Sequence, residues 1–200
     1  DFICFTDDST GIDPGVICYE MYPRESEGWW ATWSKIEIFG REEIKKYQKK
    51  IYFDLDLVIQ GSITPILEHD ADWAAIECPW KGKIFRLKHP GESIINTSVM
   101  VWKDITWIYD KWESDWKNIV RNYRGTDYWY HVNGLRPTSL PKVFYSYREG
   151  SKPSHYWVNG MKPYLQYQPD YSVCLFHQKP DIHELDKSNR LYKIWHETVS

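Results

Sequence analysis

The chain lacks any surplus of positive charge. Lys and Arg number 25 against 28 Asp and Glu, for a net charge of −3, so the basic excess that neutralises a nucleic-acid polymer is missing. No apolar run approaches the ~18 residues of a membrane span, and no signal-peptide pattern is present. Cysteine is scarce: Cys4, Cys18, Cys78 and Cys174 stand far apart, with no CxxC pair or short metal spacing. That distribution points away from a disulfide framework and toward free thiols in a reducing, cytoplasmic setting. There is no internal repeat or low-complexity tract. The 200 residues make one domain, 1–200, long enough to bury a sizeable core. What the chain has in plenty is rings, with 12 Trp and 15 Tyr. Core packing accounts for most of them by default; a groove lined by some would suit flat, half-apolar ligands such as sugars.

No Met opens the chain, which enters at once on the strand-like run FICFT. Asp7 and Asp8 follow in a loop rich in Asp, Gly and Pro, where they serve turns and caps. Val16 to Tyr19 reads as a second short strand. Ser34 is placed to cap a short helix carrying Lys35, Ile38 and Phe39, and REEIKKYQKK reads as a solvated face. Pro65 suits the first turn of a helix in ITPILEH, and ADWAAIE reads as a strand. Asp70 and Asp72 sit in a solvated turn. The strongest helix signal runs from an Asp104 cap through Ile105, Ile108, Trp112, Trp116, Ile119, Val120 and Tyr123, one buried stripe, with Gly125 placed to close it. KVFYSY and YSVCLFH are strand-like. Alternating strands and helices predict an α/β sheet with helices packed on it.

The segment that carries chemistry is KKIYFDLDLVIQG, from Lys49 to Gly61. An unpaired carboxylate is costly in a buried strand, yet Asp54 and Asp56 interrupt this apolar run. Strand alternation puts both on one face and Phe53, Leu55 and Leu57 on the other, with the two aspartates about 6.5 Å apart. At a strand end such a pair can converge on one divalent cation, and oxygen donors suit Mg²⁺ or Mn²⁺. His177 also follows an apolar strand; as a third ligand it would shift the preference toward Mn²⁺, and the alternative is a surface histidine.

IYFDLDLVIQGSITPIL resembles the Asp-x-Asp strand of nucleotide-sugar glycosyltransferases with a GT-A fold, close to glycosyltransferase family eight and its bacterial and phage relatives. GWWATWSKIEIF resembles the tract whose lysine, here Lys35, approaches the donor. SIINTSVMVW is similar to the segment lining the sugar site, which implies that role for Asn96, Thr97 and Ser98. FHQKPDIHEL resembles the closing segment, implying His177 as third metal ligand and Lys179 as a diphosphate contact. Asp127 then falls near the acceptor side, with a sugar contact or catalytic part. The family fold implies a GT-A-like, mostly parallel mixed sheet flanked by helices, here expected to lack its first strand-helix unit. The family also implies Mn²⁺ or Mg²⁺, a UDP-sugar donor, a carbohydrate or other hydroxyl acceptor, and transfer with retention.

The chain departs from the family in places. Gln178 stands where relatives carry glycine, Asp181 where they carry lysine, and Tyr128 where they carry glutamine. Two other functions are open. A non-catalytic carbohydrate-binding module would use the rings without metal. A haloacid-dehalogenase-like phosphatase also begins its nucleophile strand with FDLD, but it follows the second Asp with Gly-Thr so that backbone reaches phosphate; here Leu57 and Val58 follow.

Overall fold

The computed structural model of the chain describes residues 1–22, 33–77, 87, 93, 95–123, 125–141, 143–147, 167–176 and 180–197. The opening run forms β1 (Ile3–Thr6), which pairs in parallel with β2 (Ile17–Glu20). Between them Asp8 and Asp13 accept the N–H groups of Thr10 and Gly15, the turn chemistry expected of this loop. A 3₁₀ helix spans Ser34–Phe39; it starts at Ser34 itself, with Trp33 before it and no side-chain cap bond, so Ser34 is not the cap that the sequence suggested. The short α1 (Glu42–Lys45) follows. Its leading Arg41 is not part of a solvated face: it is buried, donates to the Glu20 carbonyl at 2.8 Å and to Glu43, and lies over the rings of Phe5 and Tyr22.

β3 (Lys50–Phe53), β4 (Leu57–Ile59), α2 (Thr64–Leu67) and β5 (Trp73–Glu77) come next, with Pro65 in the first turn of α2 as its missing N–H allows. β6 (Ile95–Trp102) is buried along almost its whole length. Then come α3 (Thr106–Glu113), α4 (Trp116–Asn122), α5 (Thr126–Val132), β7 (Thr138–Ser139), β8 (Phe144–Tyr147) and β9 (Val173–Phe176). A second 3₁₀ turn, Ile182–Glu184, and α6 (Arg190–Glu197) complete the described chain. No described helix is long and apolar enough to cross a membrane.

The expected single helix from 104 to 123 is two helices. Asp104 is not the cap: Ile105 holds that position with no side-chain cap bond, and Asp104, one residue ahead, accepts the Thr106 N–H at 3.1 Å; the apolar stripe is core, with Ile105, Ile108, Trp112, Ile119 and Val120 buried. The break falls at Ser114 and Asp115. Both are residues that compete for backbone hydrogen bonds. Gly125 does not close this helix. It precedes α5 with φ 146°, a conformation that a residue with a Cβ rarely adopts.

Strand pairing also corrects the expectation of a mostly parallel sheet. Among the described residues the strands form a four-stranded sheet in the order β3-β6-β5-β7, a three-stranded sheet β4-β9-β8, and the β1-β2 pair. β6 is antiparallel to both β3 and β5, and β4 is antiparallel to β9; the pairs β1-β2, β5-β7 and β8-β9 are parallel. The sheets are split and mixed.

Period-two alternation assigns each strand face to a core. From β5 and β6, Trp73, Ala75, Met100 and Trp102 join the 3₁₀ helix and α3–α5 in one cluster; Ala74, Ile76, Val99 and Val101 join Val173 and Leu175 of β9 in a second. Cys174 and Phe176, on the other face of β9, pack with Tyr145, Tyr147 and Leu191 in a third. Each fully buried Val, Leu or Met contributes roughly 1.5–3 kcal/mol. Among the described residues the rings are chiefly core. Phe39 meets Trp73, Trp102 and Tyr130 edge to face, with centroids 6.1, 5.2 and 5.7 Å away, and Trp33 and Trp112 are wholly buried.

Candidate active site

β3 ends at Phe53, paired with Val99. One more ladder bond, from the Asp54 N–H to the Ser98 carbonyl at 2.8 Å, continues it. The chain then crosses to the second sheet, where β4 begins at Leu57 opposite Leu175. The Asp54-Leu55-Asp56 segment is therefore a bridge between two sheets and not the interior of a strand. Alternation holds for Phe53 and Leu57, which pack on the second core, but Leu55 does not share that face. It is 94% exposed, because no partner strand remains to hold it in register.

At this strand end Asp54 gathers its partners. Lys35, from the 3₁₀ helix, places its Nζ 2.9 Å from Asp54 Oδ1 and 3.1 Å from Oδ2. The hydroxyl of Tyr52 donates to Oδ1 at 2.6 Å. Burial, followed by the charge of Asp54, pushes the Tyr52 phenol far above its ordinary range, so it remains a donor. Lys35 also donates to Thr97 Oγ1 at 3.3 Å, and that hydroxyl donates to Asp127 Oδ1, on α5, at 2.6 Å. One continuous chain of hydrogen bonds thus runs Tyr52, Asp54, Lys35, Thr97, Asp127.

Thr97 owes its place to an irregularity in β6. Residues 100–102 pair with β5, the register then jumps, and pairing resumes at Asn96 opposite Ile76. The residues left over in this bulge, from Thr97 on, are free to turn toward the end of β3. Asn96 holds the bulge by accepting the Ser98 N–H at 3.0 Å. Thr97 is 2% exposed with its hydroxyl engaged on both sides, between Lys35 and Asp127. Ser98 is buried and supplies the carbonyl that anchors Asp54.

Asp56 opens to solvent, yet its carboxyl is pushed upward, first by the protein mass about it and then by the charge of Asp54; Lys35 pulls the other way, and Asp181 adds to the rise. Among the described residues the ion pair on these two carboxylates is the one from Lys35 to Asp54. Two hard carboxylates are a fitting donor set for a divalent cation, and the ammonium on Asp54 is a cation already drawn to it. The carbonyl of Asp56 accepts the N–H of Phe176 at 3.0 Å. His177 and Lys179 lie outside the described residues. Asp181, which stands where the family carries lysine, caps the second 3₁₀ turn: its side chain accepts the Glu184 N–H, and its own N–H donates to Glu184 Oε2 at 2.8 Å. Asp181, His183 and Glu184 also bring three ligand atoms within 4.8 Å of one another, but the two carboxylates are committed to that capping box. Asp70 and Asp72 form the expected solvated turn, both paired with Lys103.

The structure therefore joins Lys35, Asp54, Thr97 and Asp127, with Asn96, Ser98 and Asp56 alongside. Sequence reasoning missed Tyr52. Its signal was present: in a strand, residue 52 shares a face with residue 54.

No protein-family model matches the chain, and no curated protein does. Among solved structures it is similar to the galactosyltransferase LgtC in complex with donor and acceptor sugar analogs, with a TM-score of 0.55 at 14% identity, over 92% of this chain and 73% of that one. The chain has the mixed α/β fold of that glycosyltransferase, the fold to which the Asp-x-Asp resemblance pointed.

Proposed function

We propose that the chain is a metal-dependent glycosyltransferase that moves a sugar from a nucleoside diphosphate to an acceptor hydroxyl. The observation that carries this reading is the convergence of Lys35, Asp54, Thr97 and Asp127 at the end of β3, in a chain folded like a galactosyltransferase. A UDP-linked donor and retention of configuration follow from the resemblance to family eight.

Asp54, Asp56 and His177 would hold a divalent cation, and the backbone bond from Phe176 to Asp56 supports the joining of these distant stretches. Such an ion, when bound, neutralises the diphosphate leaving group. Lys35 and Lys179 add positive charge to the same group. Asn96 and Asp127 orient the transferred sugar, while Thr97 and Ser98 form the wall that holds them. Mn²⁺ is preferred over Mg²⁺ because an imidazole joins the carboxylates.

Calorimetry with UDP, GDP and their sugars, with and without Mn²⁺, tests the reading. Donor binding and turnover should require the ion and fall on the order of 100-fold in Asp54→Asn. Carbohydrate binding that survives both chelation and this substitution would identify a sugar-binding module instead. Hydrolysis of a simple phosphoester with no sugar nucleotide would point to the phosphatase.

A further inference from the structure

We infer that Lys35 is the resident counter-ion of the Asp54 carboxylate, displaced along Thr97 toward Asp127 when a divalent cation binds. This rests on the metal-dependent reading above and adds to it a competition inside the site. Asp54 Oδ1 accepts both the Lys35 ammonium and the Tyr52 hydroxyl, and Oδ2 accepts the ammonium a second time, at 3.1 Å. An oxygen offers about two lone pairs, so Oδ1 is filled and only Oδ2 retains room. A doubly charged ion on Oδ2 would stand within a few ångströms of Nζ, where like charges repel strongly in a half-buried setting. Both side chains are largely shielded from water, 18% and 19% exposed, so solvent screening is weak.

Tyr52 is the tighter of the two partners, its hydroxyl 2.6 Å from Oδ1 and its ring lying beneath Nζ at 5.6 Å. The lysine is the partner that yields. Its next partner, Thr97 Oγ1, is already in contact at 3.3 Å, and that hydroxyl leads straight to the Asp127 carboxylate. The ammonium therefore has a second acidic partner one hydroxyl away. Lys35 is in this sense a positioning residue: it stores the negative site in neutral form and is released toward the ligand side as the ion arrives.

The consequence runs against intuition: removing a lysine that assists the donor should tighten the metal. Mn²⁺ titration by electron paramagnetic resonance, without nucleotide, on the full chain reads this directly. Lys35→Met should bind Mn²⁺ about tenfold more tightly than the native chain, and Asp127→Asn a few-fold more weakly, because the displaced ammonium loses its second partner. In the Lys35→Met background, Asp127→Asn should change nothing. A Lys35→Met chain that binds Mn²⁺ no more tightly overturns the inference, as does an Asp127→Asn effect of equal size with and without the lysine. Should neither the native chain nor Lys35→Met bind Mn²⁺, both the inference and the metal-dependent function fall; native binding with no gain in Lys35→Met sinks the inference alone. If Lys35→Met is unfolded without the ion, refolding by Mn²⁺ is the same gain read as stability, and failure to refold counts against it.

Discussion

At the scale of the residue, Gly40 shows how little tolerance the first core has. Its backbone is ordinary, with φ −98°, but a Cβ there would stand 2.3 Å from Cδ1 and 2.4 Å from Cε1 of Tyr109. Gly40→Ala should therefore cost about 1–3 kcal/mol by overpacking, measured by urea denaturation, and the same change should cost much less in a Tyr109→Ala background. If the two losses simply add, the ring is not the obstacle. Nothing in the sequence around Gly40 announces this, because the clash comes from α3, far along the chain. The aspartates are the opposite case. Two carboxylates in an apolar run demand an explanation at the level of the sequence alone, and Tyr52 could have been read with them from strand parity. The destination of Thr97 could not, since it depends on a shift of register between β5 and β6.

At the scale of the element, α3 rests on one local turn ahead of its first residue and one large side chain. The Asp104 carboxylate accepts the Thr106 N–H and hydroxyl, and these bonds hold its pKa below the ordinary value. Losing these two bonds in Asp104→Ala should lower stability by about 1 kcal/mol, with Asp104→Asn recovering most of it; a neutral effect in both would show the helix start to be held by tertiary packing. Trp112 is wholly buried, stacked on Trp33 at 6.5 Å, and its truncation to Ala should cost about 3–5 kcal/mol, read as the shift in denaturation midpoint. The stripe that made this helix legible is periodic over its whole length, so periodicity alone could not reveal the break at Ser114 and Asp115. That break rests on two polar residues, and single-residue effects of this size fall below what an apolar pattern reports.

At the scale of the whole molecule, buried thiols and phenols set the response to alkali. Burial pushes the Cys174 thiol up to about 12, against an ordinary value near 9. Its contribution to stability is complete below pH 9, where folded and unfolded thiols are both protonated, and is lost as pH rises toward 12 and only the unfolded thiol ionises. Tyr52, Tyr130 and Tyr145 are shifted upward too, and they add the same trend above pH 10. Burial also raises the Cys4 thiol, so thermal melting between pH 9 and 10 reads both thiols: the decline there should shrink in Cys174→Val, and a decline that persists unchanged would assign it elsewhere. Fold class was legible at this scale, since strands alternate with helices through the middle of the chain. Strand direction was not. It is decided by pairings such as β3 with β6, between stretches distant in sequence, and local pattern carries no vector.

The passage of the chain from one sheet to the other at Asp54 and Asp56 has a mechanical corollary. Any ligand seated on those two residues works as a rivet across a seam, so occupancy and the stiffness of the joint should rise together.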